Sequence, residues 1–223
     1  MILLNVVNIH KTYSLGKNIK IDALQGINLN VQKRDFLALA GPSGSGKSSL
    51  LHLIGGLDAA TSGSIIYEGE DISHMNEKRL SHFRLYKIGF IFQAYNLIPT
   101  LTALENVEYI MLLQGIPFYE RRKKSEEVLK RVGLADYTHR FPHEMSGGQQ
   151  QRVAAARAIA AQPEIILADE PTANLDSKTA ESLIDLWLEL NAEKGLTFVF
   201  STHDKAIMDK AKRLINLKDG KII

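Results

Sequence analysis

The chain predicts an α/β fold: a parallel sheet packed between helices, with a β-rich N-terminal antiparallel part and an inserted helical subdomain. Three observations carry this expectation. The apolar run Phe36-Leu37-Ala38-Leu39-Ala40 leads into the glycine loop Gly41-Pro42-Ser43-Gly44-Ser45-Gly46-Lys47-Ser48, and the helical pattern Ser49-Leu50-Leu51-His52-Leu53-Ile54 leads out of it. Strand, glycine loop and helix in that order form a recognised supersecondary unit. From Ile165 onward, apolar strand-like runs alternate with helical stretches, as a parallel sheet with crossover helices requires.

Before the loop, and just after it, short β-rich segments occupy residues 2–10, 19–32, 35–40 and 64–68, with turns read at Gly16-Lys17-Asn18 and Glu68-Gly69-Glu70. The helix after the loop closes near Gly55-Gly56. A charged amphipathic helix over 75–86 precedes the strand Ile88-Gly89-Phe90-Ile91-Phe92. The middle, 94–161, is expected to be helical. Thr102-Ala103-Leu104-Glu105 has the form of a capping box, and Gly115 followed by Pro117 closes that helix. The apolar residues of 94–115 (Tyr95, Leu97, Ile98, Leu101, Val107, Ile110, Met111 and Leu112) are expected mostly to face the core.

A second helix over 118–132 carries Arg121-Arg122-Lys123-Lys124 and then Glu126-Glu127. A phosphate-binding patch and a solvated face laced with ion pairs both fit, and the adjoining acids favour the second. Ser146 is placed to cap a helix reaching Ala161. Ile165-Ile166-Leu167-Ala168 reads as a buried strand, Asp176 or Ser177 caps a helix running to Lys194, and Leu196-Thr197-Phe198-Val199-Phe200 reads as another strand. A short helix from Asp204 to Ala211, the strand Leu214-Ile215-Asn216-Leu217 and the turn Lys218-Asp219-Gly220 complete the chain. The whole, 1–223, reads as one domain with 94–161 as its helical subdomain.

Composition narrows the function. The 223 residues suffice for a substantial core. A net charge of +2 is too mild to argue for a nucleic-acid partner. With no cysteine, disulfides and thiolate metal sites are excluded. No apolar run is long enough to span a bilayer, and the first residues, Met1-Ile2-Leu3-Leu4, lack the basic region of a signal peptide. If the protein works at a membrane, another chain is expected to hold it there.

Three constellations carry chemistry. Gly41 to Ser48 fits G-x-x-x-x-G-K-[ST], the Walker A loop. Its glycines let backbone N–H groups curl around a phosphate, and the positive end of the helix beginning near Ser49 adds to the field. Lys47 can reach the β and γ phosphates, and the Ser48 hydroxyl can ligate Mg²⁺. Ile165 to Ala168 followed by Asp169-Glu170 has the Walker B pattern: Asp169 can hold Mg²⁺, and Glu170 can orient or deprotonate an attacking water. A buried strand ending in a polar turn before Pro171 is the plainer alternative, and the Walker A loop upstream argues against it. Met145-Ser146-Gly147-Gly148-Gln149-Gln150-Gln151-Arg152 offers a second helix N-terminus where an anion can sit.

Walker A, then Ser146-Gly147-Gly148-Gln149, then Walker B resemble, in that order, the ATP-binding cassette (ABC) ATPases over essentially the whole chain. The resemblance implies a P-loop NTPase (RecA-like) core. It also implies roles: Gln93 as the Q-loop glutamine near Mg²⁺ and the attacking water, Asn174-Leu175-Asp176 as the D-loop, His203 as the γ-phosphate switch, and Tyr13 as the aromatic that stacks on adenine. Met145 stands where Leu is usual, a swap of similar volume, and Asn174 stands where Ala is common. Within the family, Phe92-Gln93-Ala94-Tyr95-Asn96-Leu97-Ile98-Pro99 and Leu57-Asp58-Ala59-Ala60-Thr61-Ser62-Gly63 are similar to LolD-like lipoprotein-releasing and MacB-like macrolide-export cassettes. FtsE-like cassettes share much of this, which keeps open a regulator or scaffold role.

The resemblance further implies ATP and Mg²⁺ as cofactors, with Ser48, Gln93 and Asp169 on the metal. It implies an ATP-driven homodimer in which the loop from Gly41 to Ser49 of one subunit faces Ser146, Gly147, Gly148, Gln149 and Asp176 of the other. An integral-membrane permease would dock near Tyr95, Leu97 and Ile98, with an envelope or periplasmic adaptor reached through it. The protein would then be peripheral, on the cytoplasmic face of the inner membrane. A soluble repair or translation ATPase fits less well, because no coiled coil and no second cassette are present.

Overall fold

Two units divide the chain, Met1–Arg84 with Thr197–Ile223 and Leu85–Leu196. The structure, a computed structural model, describes every residue except Lys17 and Asn18. The turn expected at Gly16-Lys17-Asn18 therefore falls mostly outside the described residues.

The first unit begins with β1 (Ile2–Leu15) and β2 (Ile19–Gln32), an antiparallel pair. β1 runs five residues past the expected end because the ladder continues: Lys11, Thr12 and Tyr13 lie opposite Leu24, Asp22 and Ile21. Then follow β3 (Phe36–Ala40), α1 (Lys47–Ile54), β4 (Ser62–Tyr67), β5 (Glu70–Asp71) and α2 (Glu77–Lys87), through which the chain leaves this unit. β2, β1, β4 and β5 lie side by side, all antiparallel. α2 starts at Glu77 because Asn76 Oδ1 accepts from Arg79 N at 3.0 Å and so caps its first turn.

β6 (Ile88–Ile91), α3 (Ala103–Leu113), α4 (Phe118–Arg131), α5 (Gly147–Ala160), β7 (Ile165–Asp169) and α6 (Ser177–Lys194) build the second unit. β8 (Thr197–Thr202), α7 (Lys205–Lys210), β9 (Arg213–Lys218) and β10 (Lys221–Ile222) return to the first. There β3 lies parallel between β9 and β8. Every residue of β3 is buried, which explains its unbroken apolar sequence: both faces are covered, so nothing alternates. Phe36 packs against Phe200 and Phe198 with ring centroids 4.7 and 5.6 Å apart.

In the second unit β6 and β7 pair in parallel, Ile88 opposite Ile165 through Ile91 opposite Ala168. Gly89 is required by close packing: a Cβ there would lie 3.0 Å from the Ala158 carbonyl of α5. The capping box of α3 is present, with Glu105 N donating to Thr102 Oγ1 at 3.3 Å and Thr102 N to Glu105 Oε2 at 2.8 Å. α3, α4 and α5 share a core that includes Val107, Met111, Leu129, Leu134, Val153 and Ala156. Met145 is buried in it, so the Met-for-Leu exchange keeps the packing. The basic run of α4 is a solvated face: Lys124 pairs with Glu120 at 2.8 Å, and Arg122 with Glu108 and Glu126 at 3.2 and 3.6 Å.

Two expectations need correction. Residues 94–102 are not helical. Tyr95 and Asn96 are left-handed (φ 62° and 49°), and Asn106 Nδ2 takes the carbonyls of Ile98, Leu101 and Thr102, so helical bonding begins only at Ala103. Leu112 is 49% exposed rather than in the core, since the buried stripe of α3 runs through Ala103, Leu104, Val107 and Met111. Met111→Ala should cost about 2–5 kcal/mol, the range for a buried Met truncation. Urea unfolding followed by the fluorescence of Trp187, the chain's single and fully buried tryptophan, would measure it.

Candidate functional site

In the first unit, parallel pairing brings two candidate residues to one edge. Ala40 lies opposite Thr202 at the C-terminal ends of β3 and β8. Gly41 and His203 therefore leave the sheet side by side, at the edge where open α/β sheets bind ligands.

The glycine loop between β3 and α1 is shaped by what it excludes. A Cβ on Gly41 would lie 2.2 Å from the Leu217 carbonyl, and one on Gly46 (φ 101°) 2.5 Å from that of Ala23. Gly44 (φ 79°) meets nothing and keeps its left-handed turn open. Lys47 is buried, and its ammonium donates to the carbonyls of Gly41 and Pro42 at 2.8 and 3.1 Å, so the loop closes around its own lysine. Gly46 caps α1 without a side-chain bond, and a helix start of that kind can receive an anion. Among the described residues, the buried Ser45 hydroxyl has no hydrogen-bond partner. This cradle fits a polyphosphate.

Tyr13 stands nearby on β1, 36% exposed. Its hydroxyl donates to Asp58 Oδ2 at 3.0 Å and lies 3.4 Å from Ser49 Oγ. Asp58 Oδ1 accepts from Lys11 Nζ at 2.7 Å, and that ammonium sits 4.7 Å over the Tyr13 ring. Burial alone would raise the Asp58 pKa, but Lys11, the Ala59 N–H and the Tyr13 hydroxyl together hold it below its ordinary value.

In the second unit the ends of β6 and β7 carry the other candidates. Ile91 opposite Ala168 places Gln93, just beyond β6, near Asp169 at the end of β7 and Glu170 directly after it. Glu170 is left-handed (φ 43°), a conformation a carboxylate side chain holds only where the surroundings impose it. The fully buried Gln151 of α5 donates to the Pro171 carbonyl at 2.7 Å, and Ala173 N donates to the Glu170 carbonyl at 3.2 Å. Asn174 Nδ2 donates to the Gln93 carbonyl at 3.1 Å. Arg157 donates to the Asn96 and Tyr95 carbonyls at 2.6 and 3.1 Å, and burial lowers its pKa.

Ser146 caps α5, with its Oγ accepting from Gln149 N at 3.3 Å and Gln149 Oε1 accepting from Ser146 N at 2.9 Å. Asp176 caps α6 through Thr179 N at 3.0 Å. Ser146, Gly147, Gly148, Gln149, Asn174 and Asp176 are among the residues lining one hollow of about 470 Å³.

The family model described as ABC transporter matches residues 24–173. The chain belongs to the ABC transporter family. The lipoprotein-releasing system ATP-binding protein LolD 1 of Rhodopseudomonas palustris is 45% identical over 221 residues, covering 99% of this chain and 98% of that protein. An uncharacterized ABC transporter ATP-binding protein of Thermotoga maritima is 47% identical over 220 residues, covering 99% of this chain and 93% of that one. The dimeric structure of MJ0796, an ABC transporter cassette, matches with a TM-score of 0.94 at 44% identity, over 99% of this chain and 96% of that one. Methanocaldococcus jannaschii is the source of MJ0796. The present chain is thus the ATP-binding, ATP-hydrolysing motor subunit of a transporter complex. Among the described residues, no helix of this cassette is long and apolar enough to cross a membrane.

Sequence reasoning singled out Tyr13 but missed Lys11 and Asp58, which hold its ring. The signal was there: Lys11 is two residues from Tyr13 on one strand and so on the same face. It also missed Gln151 and Arg157, whose buried bonds to carbonyls leave no trace in spacing. Because the Asp58 pKa is lowered from 3.8, its contribution to stability is complete above that value and fades as pH falls through the lower, folded one. The melting-temperature gap between wild type and Asp58→Asn should therefore be constant from about pH 8 to 5 and close on acidification below about 4, followed by circular dichroism.

Proposed function

We propose that two copies of this cassette close on two ATP molecules, each nucleotide lying between the Gly41–Ser49 loop of one copy and Ser146, Gly147, Gly148 and Gln149 of the other. The observation that carries the reading is the glycine loop: a backbone with glycine where neighbouring carbonyls leave no room for a Cβ, curled about Lys47 and opening onto a helix without a side-chain cap. A second MJ0796 structure is a dimeric, post-hydrolysis state bound to ADP and Pi. Its TM-score of 0.93 with this chain supports carrying that arrangement over.

The reaction is in-line attack of water on the γ-phosphorus. Lys47 neutralises charge on the phosphates, Glu170 orients the water and accepts its proton, and His203 steadies the γ-phosphate. Gln93 contacts the water, and Asp176 belongs to the shared site. Mg²⁺, when bound, supplies Lewis-acid charge neutralisation. Ser48, Gln93 and Asp169 are the residues to hold it. They offer a single carboxylate, which suits an ion that takes its other ligands from phosphates and water.

Tyr13 stacks on the base. The two units act as one nucleotide-binding domain spanning 1–223. A membrane permease docks near Tyr95, Leu97 and Ile98, which follow Gln93 directly, and so links γ-phosphate sensing to transport from the cytoplasmic face of the membrane. An envelope adaptor would be reached only through the permease.

Glu170→Gln should bind ATP yet turn it over at least about a hundredfold more slowly, the scale of general-base loss; steady-state phosphate release measures this. Size-exclusion chromatography with light scattering on the same variant should show an Mg-ATP-dependent shift from monomer to dimer, and persistence as a monomer with ATP bound would count against closure of the isolated chain. Lys47→Ala should weaken nucleotide affinity in equilibrium titration, and unchanged affinity would contradict the role given to the loop.

A further inference from the structure

Lys11 and Asp58 have no part in the reaction above, yet they make an ordered cluster around Tyr13. The carboxylate of Asp58 uses both oxygens. Oδ1 takes Lys11 Nζ at 2.7 Å and Oδ2 takes the Tyr13 hydroxyl at 3.0 Å. Lys11 is 9% exposed, and its ammonium also donates to the Ala59 carbonyl at 2.7 Å, so the cation is anchored from below while the ring stands out. The same ammonium lies 4.7 Å from the ring centroid, within cation–π range of one face.

We propose that Lys11 and Asp58 are positioning residues that hold the Tyr13 ring as a one-sided platform for the nucleotide base. This rests on the ATP reading of the site. An unheld tyrosine at the end of a strand samples several rotamers, and a ligand that stacks on it has to order it. Here the hydroxyl is tethered and one face is covered before any ligand arrives, so the ordering cost falls on folding rather than on binding. The free face takes a planar neutral base, since the covered face already bears a cation. The 3.4 Å approach of the Tyr13 hydroxyl to Ser49 Oγ also sets the ring against the first turn of α1. Base and phosphates are joined covalently in a nucleotide, so a platform at fixed distance from the phosphate loop rewards a ligand of one length. Asp58 comes from the loop that follows α1, which ties the platform to both ends of that helix.

The test compares Tyr13→Ala, Asp58→Asn, Lys11→Met and the double variant Tyr13→Ala/Asp58→Asn, each checked for its melting temperature. The readouts are KM and kcat for ATP, and binding of inorganic tripolyphosphate, which has no base. Tyr13→Ala and Asp58→Asn should each raise KM for ATP by about five- to tenfold, the lower part of the base-stacking scale, with kcat little changed. Tripolyphosphate affinity should stay at the wild-type value, and Asp58→Asn should add almost nothing once Tyr13 is Ala. Should Asp58→Asn melt too low to assay, Lys11→Met carries the same comparison.

If Tyr13→Ala leaves the ATP KM unchanged, base stacking itself is wrong and the platform falls with it. A rise in Tyr13→Ala without one in Asp58→Asn or Lys11→Met overturns the platform alone. So does an equal loss of tripolyphosphate binding, or a full Asp58→Asn effect in the Tyr13→Ala background.

Discussion

The phosphate loop sets a constraint that much of its unit obeys: a backbone curled for an anion and packed on neighbouring strands has no room for a side chain where it touches them. Gly41 illustrates the outer side. A Cβ there would fall 2.2 Å from the Leu217 carbonyl, so β9 is packed as close to the loop as a chain can come. Gly46 makes the same demand on β2, through the carbonyl of Ala23. The loop is therefore clamped by two strands from different sheets. Lys47 completes the clamp from within. Its bonds to the carbonyls of Gly41 and Pro42 satisfy a buried ammonium with the loop's own acceptors. Those bonds are to neutral oxygens, so an anionic phosphate can compete for the same cation with the stronger charge-assisted interaction.

The second unit solves a different problem, holding unfavourable backbone in place with buried side chains. Tyr95, Asn96 and Glu170 all have positive φ, each at a cost on the scale of 1 kcal/mol or more for a residue with a Cβ. The compensation comes largely from one helix. Arg157 of α5 donates to the carbonyls of Tyr95 and Asn96, and Gln151 of α5 donates to the carbonyl next to Glu170. Asn174 adds a bond to Gln93. α5 also begins at Ser146. A single helix thus carries Ser146 to Gln149 at its start and fixes the segments after Gln93 and Glu170 along its length. A shift of α5 would be felt at all of these points together.

The sequence made most of the strand and helix order legible, because each unit is built on local signals. Thr102 with Glu105, Ser146 with Gln149, Asp176, and Gly195 each end or begin a helix by chemistry confined to a few neighbouring residues. The positions of the glycine loop after β3, of Asp169 and Glu170 at the end of β7 and of His203 after β8 were legible for the same reason. What escaped was set by tertiary bonds. Residues 94–102 have apolar spacing that suits a helix, but Arg157 and Asn106, distant or later in the chain, claim their carbonyls and hold them out of one. β1 ran on past its apolar part because pairing with β2, rather than hydrophobicity, sustains it. Lys11 and Asp58 are separated by 47 positions, and no motif joins them.

The helix start at α1 and the helix start at α5 show how one physical device can be used in two ways. α1 has no side-chain cap, and a helix start of that kind can receive an anion. α5 is capped reciprocally by Ser146 and Gln149, which stabilises the helix when no anion is present. The cap does not spend the whole of Ser146. Its oxygen accepts from Gln149 N, and a hydroxyl has a proton left to donate. Holding the lone pair inward directs that proton away from the helix, toward whatever lies beyond its N-terminus. A capped start is therefore stable alone and still able to receive a phosphate. That is the property the sandwich proposed above would need of its second face.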